Sequence, residues 1–406
     1  MRWRVVIGLR STQLGCPYCG ATFAERDISF RCSGRPGPDG QRCDAQPDDA
    51  RGRWLNDTRP LPPVFAADGR LPSSVCPGCG ESTHVHVCPH CHRRLPGGFG
   101  RADHWPVVIV GSAQSGKTVL MTVLIHELSH RLGGAAGVAV RGLDDETLGA
   151  FHADYDHPLF DQYTLPKPSD PLASCPPRVP LVFELTRTSP GWPGRRQRRI
   201  IASFLDMNGS DLASPAGQAQ AARYLTSARA IILVLDPLQL PGARGHARPE
   251  VVGPERAGTA DDRPDVLLSQ VTGLLVEALD SRGGRIRKPV AVVVAKLDAV
   301  EHTLAAASPL TVRPALRSRF DVRDGDAVHA QVQHLIDKWD GPQFNLNLRA
   351  YFTRYRYFGL SSLGQPPKDP VTVGVVVPHR VHDLALWLLR EFGAAGLTKH
   401  ARGRRS

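Results

Sequence analysis

The string GSAQSGKT at residues 111–118 constrains this chain more than any other feature. Before it lies an apolar run, residues 105–110 (WPVVIV). After it comes TVLMTVLIHELSHRL, with apolar residues at the three-to-four-residue spacing of a helix. A strand, a Gly-x4-Gly-Lys-Thr turn and a helix in that order form a phosphate cradle. Gly111 and Gly116 let the backbone N–H groups of Gly111, Ser112, Ala113, Gln114, Ser115 and Gly116 turn inward at a helix N-terminus, where an anion is stabilised. Lys117 then reaches the β- and γ-phosphates, and the Thr118 hydroxyl becomes a magnesium ligand. The string implies a nucleoside triphosphate bound with Mg2+.

The rest of the chain supplies a matching scaffold. Apolar strands are expected at residues 179–185, 200–205, 230–235, 289–295 and 355–360, with helices at 214–228, 265–281, 326–340 and 380–392. Strands alternating with helices predict an α/β fold, a three-layer sandwich whose mostly parallel sheet is covered on both faces. Ligands of such sheets sit at the carboxyl ends of the strands, and three further motifs fall there. Asp206-Met-Asn-Gly209 ends one strand; its aspartate can hold magnesium through water, and Gly209 can offer its N–H to the γ-phosphate. Lys296-Leu-Asp298 ends another, placing a carboxylate where it can accept from the N1–H and 2-amino group of guanine. Ser361 and Ser362 follow the last strand, where their backbone and hydroxyl groups can meet the guanine oxygen.

Nine cysteines add a second theme. Cys76, Cys79, Cys88 and Cys91 read C-x2-C-x8-C-x2-C, the spacing of a closed structural zinc site. Cys16, Cys19, Cys32 and Cys43 form a looser set, C-x2-C-x12-C-x10-C, expected to hold a second zinc. His84, His86, His90 and His92 lie among the later set and read as loop histidines, because four thiolates already complete it. Cys175 is left over as an ordinary loop thiol. Modules this small bury too little to fold alone, so the metal would supply the folding free energy. The expected organisation is a first zinc module at 1–48, a Pro/Gly-rich linker at 49–75, a zinc ribbon at 76–96, the nucleotide domain at 104–395 and a basic tail at 396–406.

A formal charge of +11 admits either attraction to nucleic acid or a surface of solvated arginines. The dense patches are residues 195–199 (RRQRR) and 402–405 (RGRR), and neither is interleaved with aromatics, so nucleic acid gains no specific support. No export signal and no apolar run of membrane-spanning length is seen, and a cytoplasmic location is expected. Disulfides fit such a location poorly.

The phosphate loop, the DxxG at 206–209 and the KxD at 296–298 together resemble GTPases of the translation-factor and Ras-like class, and in particular bacterial double-GTPase-like proteins. The segment RVHDLALWLLREFG after YFGLSSLG is similar to theirs as well. The resemblance implies GTP and GDP as ligands, Mg2+ as cofactor, and a role in conflict or effector systems. It assigns Lys117, Thr118 and Asp206 to catalysis. Three departures qualify it. Ala295 stands where an Asn or Thr usually precedes Lys-x-Asp. Ser210 follows DxxG in place of the glutamine that positions water. The magnesium-sensing threonine of the first switch has Thr164 and Ser169 as candidates. The sequence therefore suggests a GTP-binding regulatory switch with slow hydrolysis, docking a protein partner through its zinc ribbons. Its competitors are a nucleotide-binding scaffold with little turnover, or an ATPase acting on nucleic acid. The last would need an Asp-Glu pair after an apolar strand, which is missing, and has no use for KLD.

Overall fold

The computed structural model describes residues 13–55, 57–167, 172, 179–187, 198–247, 263–278, 285–369 and 371–393. The chain divides into two compact units, one comprising the residues up to His104 together with Val179, the other the remaining described residues from Trp105 on.

The larger unit is organised by a seven-stranded sheet. Its strands are β1 (Asp103–Gly111), β2 (Val138–Gly142), β3 (Leu181–Arg187), β4 (Arg198–Asn208), β5 (Ala230–Leu235), β6 (Val290–Val294) and β7 (Tyr355–Gly359), in the spatial order β7-β6-β5-β1-β4-β3-β2. The pairs β1/β5, β5/β6 and β6/β7 are parallel. The sheet is mostly parallel as expected, and at the other edge β3 runs antiparallel to both β4 and β2. There β3 and β4 are consecutive strands joined by only ten residues, too few for the crossover that parallel neighbours need. The edge strand β2 was not anticipated. Its five residues alternate between buried and more exposed positions, too short a pattern to stand out in the sequence.

The central strands β5 and β6 are apolar without interruption because both faces are covered. In β1, Val107 and Ile109 enter one core with α1 (Lys117–Glu127) and α6 (Val381–Glu391), whose buried residues include Leu124 and Leu388. Val108 and Val110 enter the opposite core with α2 (Pro215–Ser227), α3 (Pro264–Ala278), α4 (Val322–Asp340) and α5 (Gln343–Tyr351). Each such fully buried aliphatic side chain is worth about 1.5–3 kcal/mol relative to exposure. Helix α5 was also unforeseen, since QFNLNLRAY carries two asparagines; burial of Phe344 and Leu348 outweighs that weak propensity.

In the smaller unit, short strands frame the cysteine turns. Gln13–Gly15 pairs with Thr22–Ala24, Ser74–Val75 pairs with Ser82–Thr83, and Ser29–Arg31 is flanked by Val64–Phe65 and Val85–Val87, all antiparallel. Among the described residues, no helix is long and apolar enough to cross a membrane.

Candidate nucleotide and metal sites

The phosphate loop leaves β1 at Gly111 and enters α1 at Lys117. Two of its residues adopt left-handed backbone, Gln114 at φ +58° and Gly116 at φ +88°. At Gly111 the constraint is space: a Cβ there would lie 2.7 Å from both the Ser115 hydroxyl and the Val234 carbonyl. Ser115 is wholly buried and its hydroxyl has no hydrogen-bond partner. A buried polar atom without a partner is costly, and a phosphate oxygen in the cradle would satisfy it. Lys117, only 4 % exposed, donates from Nζ to the Ser112 carbonyl, so its charge is folded into the loop. The Thr118 hydroxyl donates to the Asp206 carboxylate at 2.7 Å, joining the loop to the buried carboxyl end of β4.

The other motifs meet the same loop. Lys296 sits in left-handed backbone at φ +50° just past β6. Its ammonium donates to the Gln114 carbonyl at 2.7 Å and to the buried Asp236 carboxylate at 2.6 Å. Asp298 is half-buried and accepts from the Ser361 hydroxyl. Burial pushes its carboxyl above the usual aspartate range, opposed by the bonds from Ser361 and its own amide and by the Lys296 charge. The Leu297 amide donates to the Leu360 carbonyl at 3.1 Å, tying the Lys-x-Asp turn to the buried Ser361-Ser362 turn.

The remaining sequence candidates fare differently. Gly209 opens the short helix Gly209–Ala213 behind Asn208, and Asp211 closes that turn by accepting from the Asn208 amide at 2.8 Å. The other Asp211 oxygen accepts from the Leu172 amide at 2.8 Å. Ser210 is exposed and Ala295 is buried. Thr164 spends its hydroxyl on the Pro158 carbonyl. Ser169, Cys175 and residues 402–405 lie outside the described residues. Of the other arginine patch, Arg198 donates to the Gly393 carbonyl and Arg199 pairs with Glu184, so both serve the fold.

Two polar residues at the site were missed from the sequence. Asp236 directly follows β5, and Gln239 comes three residues later. Their nearness follows from register, since Val234 faces Gly111 and Leu235 faces Val294. Gln239 accepts from the Ser112 hydroxyl and donates from its amide to the Ala113 carbonyl at 3.2 Å. The available signal was an aspartate ending an apolar strand, the same signal that marked Asp206.

The smaller unit corrects the expected cysteine grouping. Cys16 and Cys19 converge with Cys88 and Cys91, while Cys32 and Cys43 converge with Cys76 and Cys79. The antiparallel ladder explains this. Arg31 faces Val85 and Ser29 faces Val87, so Cys32 and Cys88 leave their paired strands at opposite ends. Sulfur–sulfur separations are 3.8 and 3.9 Å in one set, 3.6 and 3.7 Å in the other. A tetrahedral zinc with Zn–S bonds of about 2.3 Å has edges of about 3.8 Å, so both donor sets fit that ion. The C-P-x-C turns share one geometry: Gly20, Gly80 and His92 follow the second cysteine with left-handed backbone and donate their amides to Cys16, Cys76 and Cys88. Burial alone would raise the Cys76 thiol, but bonds from the Gly78 and Cys79 amides and from neighbouring thiols bring it down to about 7. None of the four histidines joins a set. His84 and His86 bond to the Pro72 and Leu71 carbonyls, His90 lies against Phe23, and His92 pairs with Asp48.

The chain is similar to known proteins along much of its length. A protein of Mycolicibacterium smegmatis described as a putative ESX-1 scaffolding and assembly protein, SaeC, is 24 % identical over 346 residues, covering 79 % of this chain and 84 % of that one. A family model described as Double-GTPase 2 matches residues 106–336, from β1 through most of α4 and across the phosphate loop, Asp206 and Asp298. That match takes in more than half of the 406 residues, and the chain belongs to the Double-GTPase 2 family.

Proposed function

We propose that the protein is a GTP-binding regulatory switch with slow intrinsic hydrolysis. The observation that carries this reading is the placement of Lys296. Its ammonium grips the phosphate loop at Gln114 while, two residues on, Asp298 stands at the same sheet edge beside Ser361. Phosphate and base would thus be held by linked elements. Thr118 and Asp206, already in contact, are the oxygen donors that would hold Mg2+, which neutralises phosphate charge when bound. Lys117 and the partnerless Ser115 hydroxyl would donate to phosphate oxygens. Ser210 offers no amide side chain to orient water, and this supports slow turnover, because phosphoryl transfer depends on positioning and charge stabilisation.

Zinc is proposed for both thiol sets, as the metal whose tetrahedral edges they match, and reduced thiolates suit a cytoplasmic location. The smaller unit would then act as a rigid docking module for a protein partner. A second reading is favoured by the name of the mycolicibacterial relative: a nucleotide-dependent assembly scaffold in which turnover matters little. Single-turnover hydrolysis with and without candidate partners separates the two.

Equilibrium binding of GTP, GDP and ATP with Mg2+ tests the common premise. Opposite guanine the Asp298 carboxylate accepts two hydrogen bonds; opposite adenine it is left unpaired. Bonds to a charged group contribute about 1.5–3 kcal/mol each, so GTP and GDP should bind at least about a hundredfold more tightly than ATP. Asp298→Asn should shift preference toward xanthosine nucleotides, whose additional carbonyl suits an amide donor. Equal affinity for ATP and GTP in the native protein would remove the guanine reading.

A further inference from the structure

Beyond the thiol sets, one more group of metal-binding side chains converges among the described residues: His126, His130 and Asp156, each offering a ligand atom within 4.8 Å of the others. His126 lies on the last turn of α1. His130 belongs to the π-helical stretch Leu128–Leu132 that continues it, and Asp156 ends a second π-helical stretch, Phe151–Asp156. Single π-turns are rare and recur at functional sites because they re-aim side chains that a regular helix would point elsewhere. Here two of the three side chains come from such stretches.

The geometry is built around His126. Its Nδ1 lies 2.7 Å from the Asp156 carboxylate, and its ring stacks on Phe160 at 3.6 Å between centroids, which holds its orientation. The ring of His130 stands 4.5 Å away, tilted by 43°. A histidine kept only to support the fold would need the aspartate and the phenylalanine, but not a second imidazole at that distance. His130 is exposed, so the cluster opens to solvent.

We propose that His126, His130 and Asp156 form a third metal site, selective for Zn2+ or a similar borderline divalent ion. Two imidazoles and one carboxylate suit such ions, whereas Ca2+ and Mg2+ favour all-oxygen shells. Three protein ligands leave a coordination position for water or an exogenous group. The ion ties the end of α1, whose other end carries the phosphate loop, to the segment ending at Phe160. The site does not depend on the identity of the nucleotide.

The test uses the full chain, nucleotide-free, with the metal already held by its thiols measured first. Calorimetric titration with ZnCl2 should then reveal one further site per chain. His130→Ala, a change at an exposed position, and Asp156→Asn should each weaken that site at least about tenfold. His157→Ala, which alters a neighbouring half-buried histidine outside the cluster, should leave it unchanged. No uptake beyond the thiol-bound metal, or native affinity in either His130→Ala or Asp156→Asn, overturns the proposal.

Discussion

Replacing Cys88 and Cys91 together by serine should leave Cys16 and Cys19 open to alkylation while Cys32, Cys43, Cys76 and Cys79 stay protected. That outcome separates the interleaved arrangement from the sequential one, in which loss of Cys88 and Cys91 would strand Cys76 and Cys79. The partners are set by contact: Cys16 lies 3.8 Å from Cys91, and Cys43 lies 3.7 Å from Cys76. Thiol-bound zinc should fall from two ions per chain to one. Structural zinc contributes about 10–16 kcal/mol to a small fold, comparable with the whole net stability of an ordinary domain. The hairpin Gln13–Ala24 should therefore lose its protection against proteolysis. Peptide mass mapping after brief alkylation reads both results, and protection of Cys16 and Cys19 in the double variant would refute the interleaved sets.

Lys117→Ala should lower GTP affinity by at least about a hundredfold and barely move the thermal melt. The lysine would make two charge-assisted hydrogen bonds to phosphate, at about 1.5–3 kcal/mol each, and every 1.4 kcal/mol is about tenfold in affinity. Its ammonium donates to the Ser112 carbonyl within its own loop. Alanine is also a good residue for the first turn of α1. Gly111→Ala provides the contrast, because its Cβ would meet the Val234 carbonyl at 2.7 Å and distort the strand end itself. Circular-dichroism melts beside fluorescence titration with GTP distinguish lost affinity from lost fold. Undiminished GTP binding by Lys117→Ala would contradict the phosphate cradle.

Much of this protein could be read from local order in its sequence. The phosphate loop is encoded by consecutive residues, and the fully buried strands β5 and β6 are runs of Val, Ile, Leu and Ala that no exposed element tolerates. Most of the helices that cover the sheet announce themselves by spacing. The strand-end positions of Asp206, Lys296 and Asp298 were legible because an apolar run marks a buried strand, and its last residue marks the sheet edge. The short edge strand β2 and the asparagine-bearing α5 were not legible, because neighbours rather than propensity stabilise them.

What tertiary structure alone decided are the pairings between distant residues. The eight ligand-type cysteines were evident from their spacing, but spacing measures distance along the chain. Which pairs share a metal depends on the antiparallel ladder between Ser29–Arg31 and Val85–Val87, which sends Cys32 and Cys88 to opposite ends. Asp236 and Gln239 reach the phosphate loop because β5 lies in register beside β1 and β6. His126, His130 and Asp156 converge from helical stretches on either side of β2, a pairing that no motif describes. Local chemistry selects the residues that can act, because propensity and motif geometry are short-range properties; strand register selects their partners, because it is settled only when the sheet assembles.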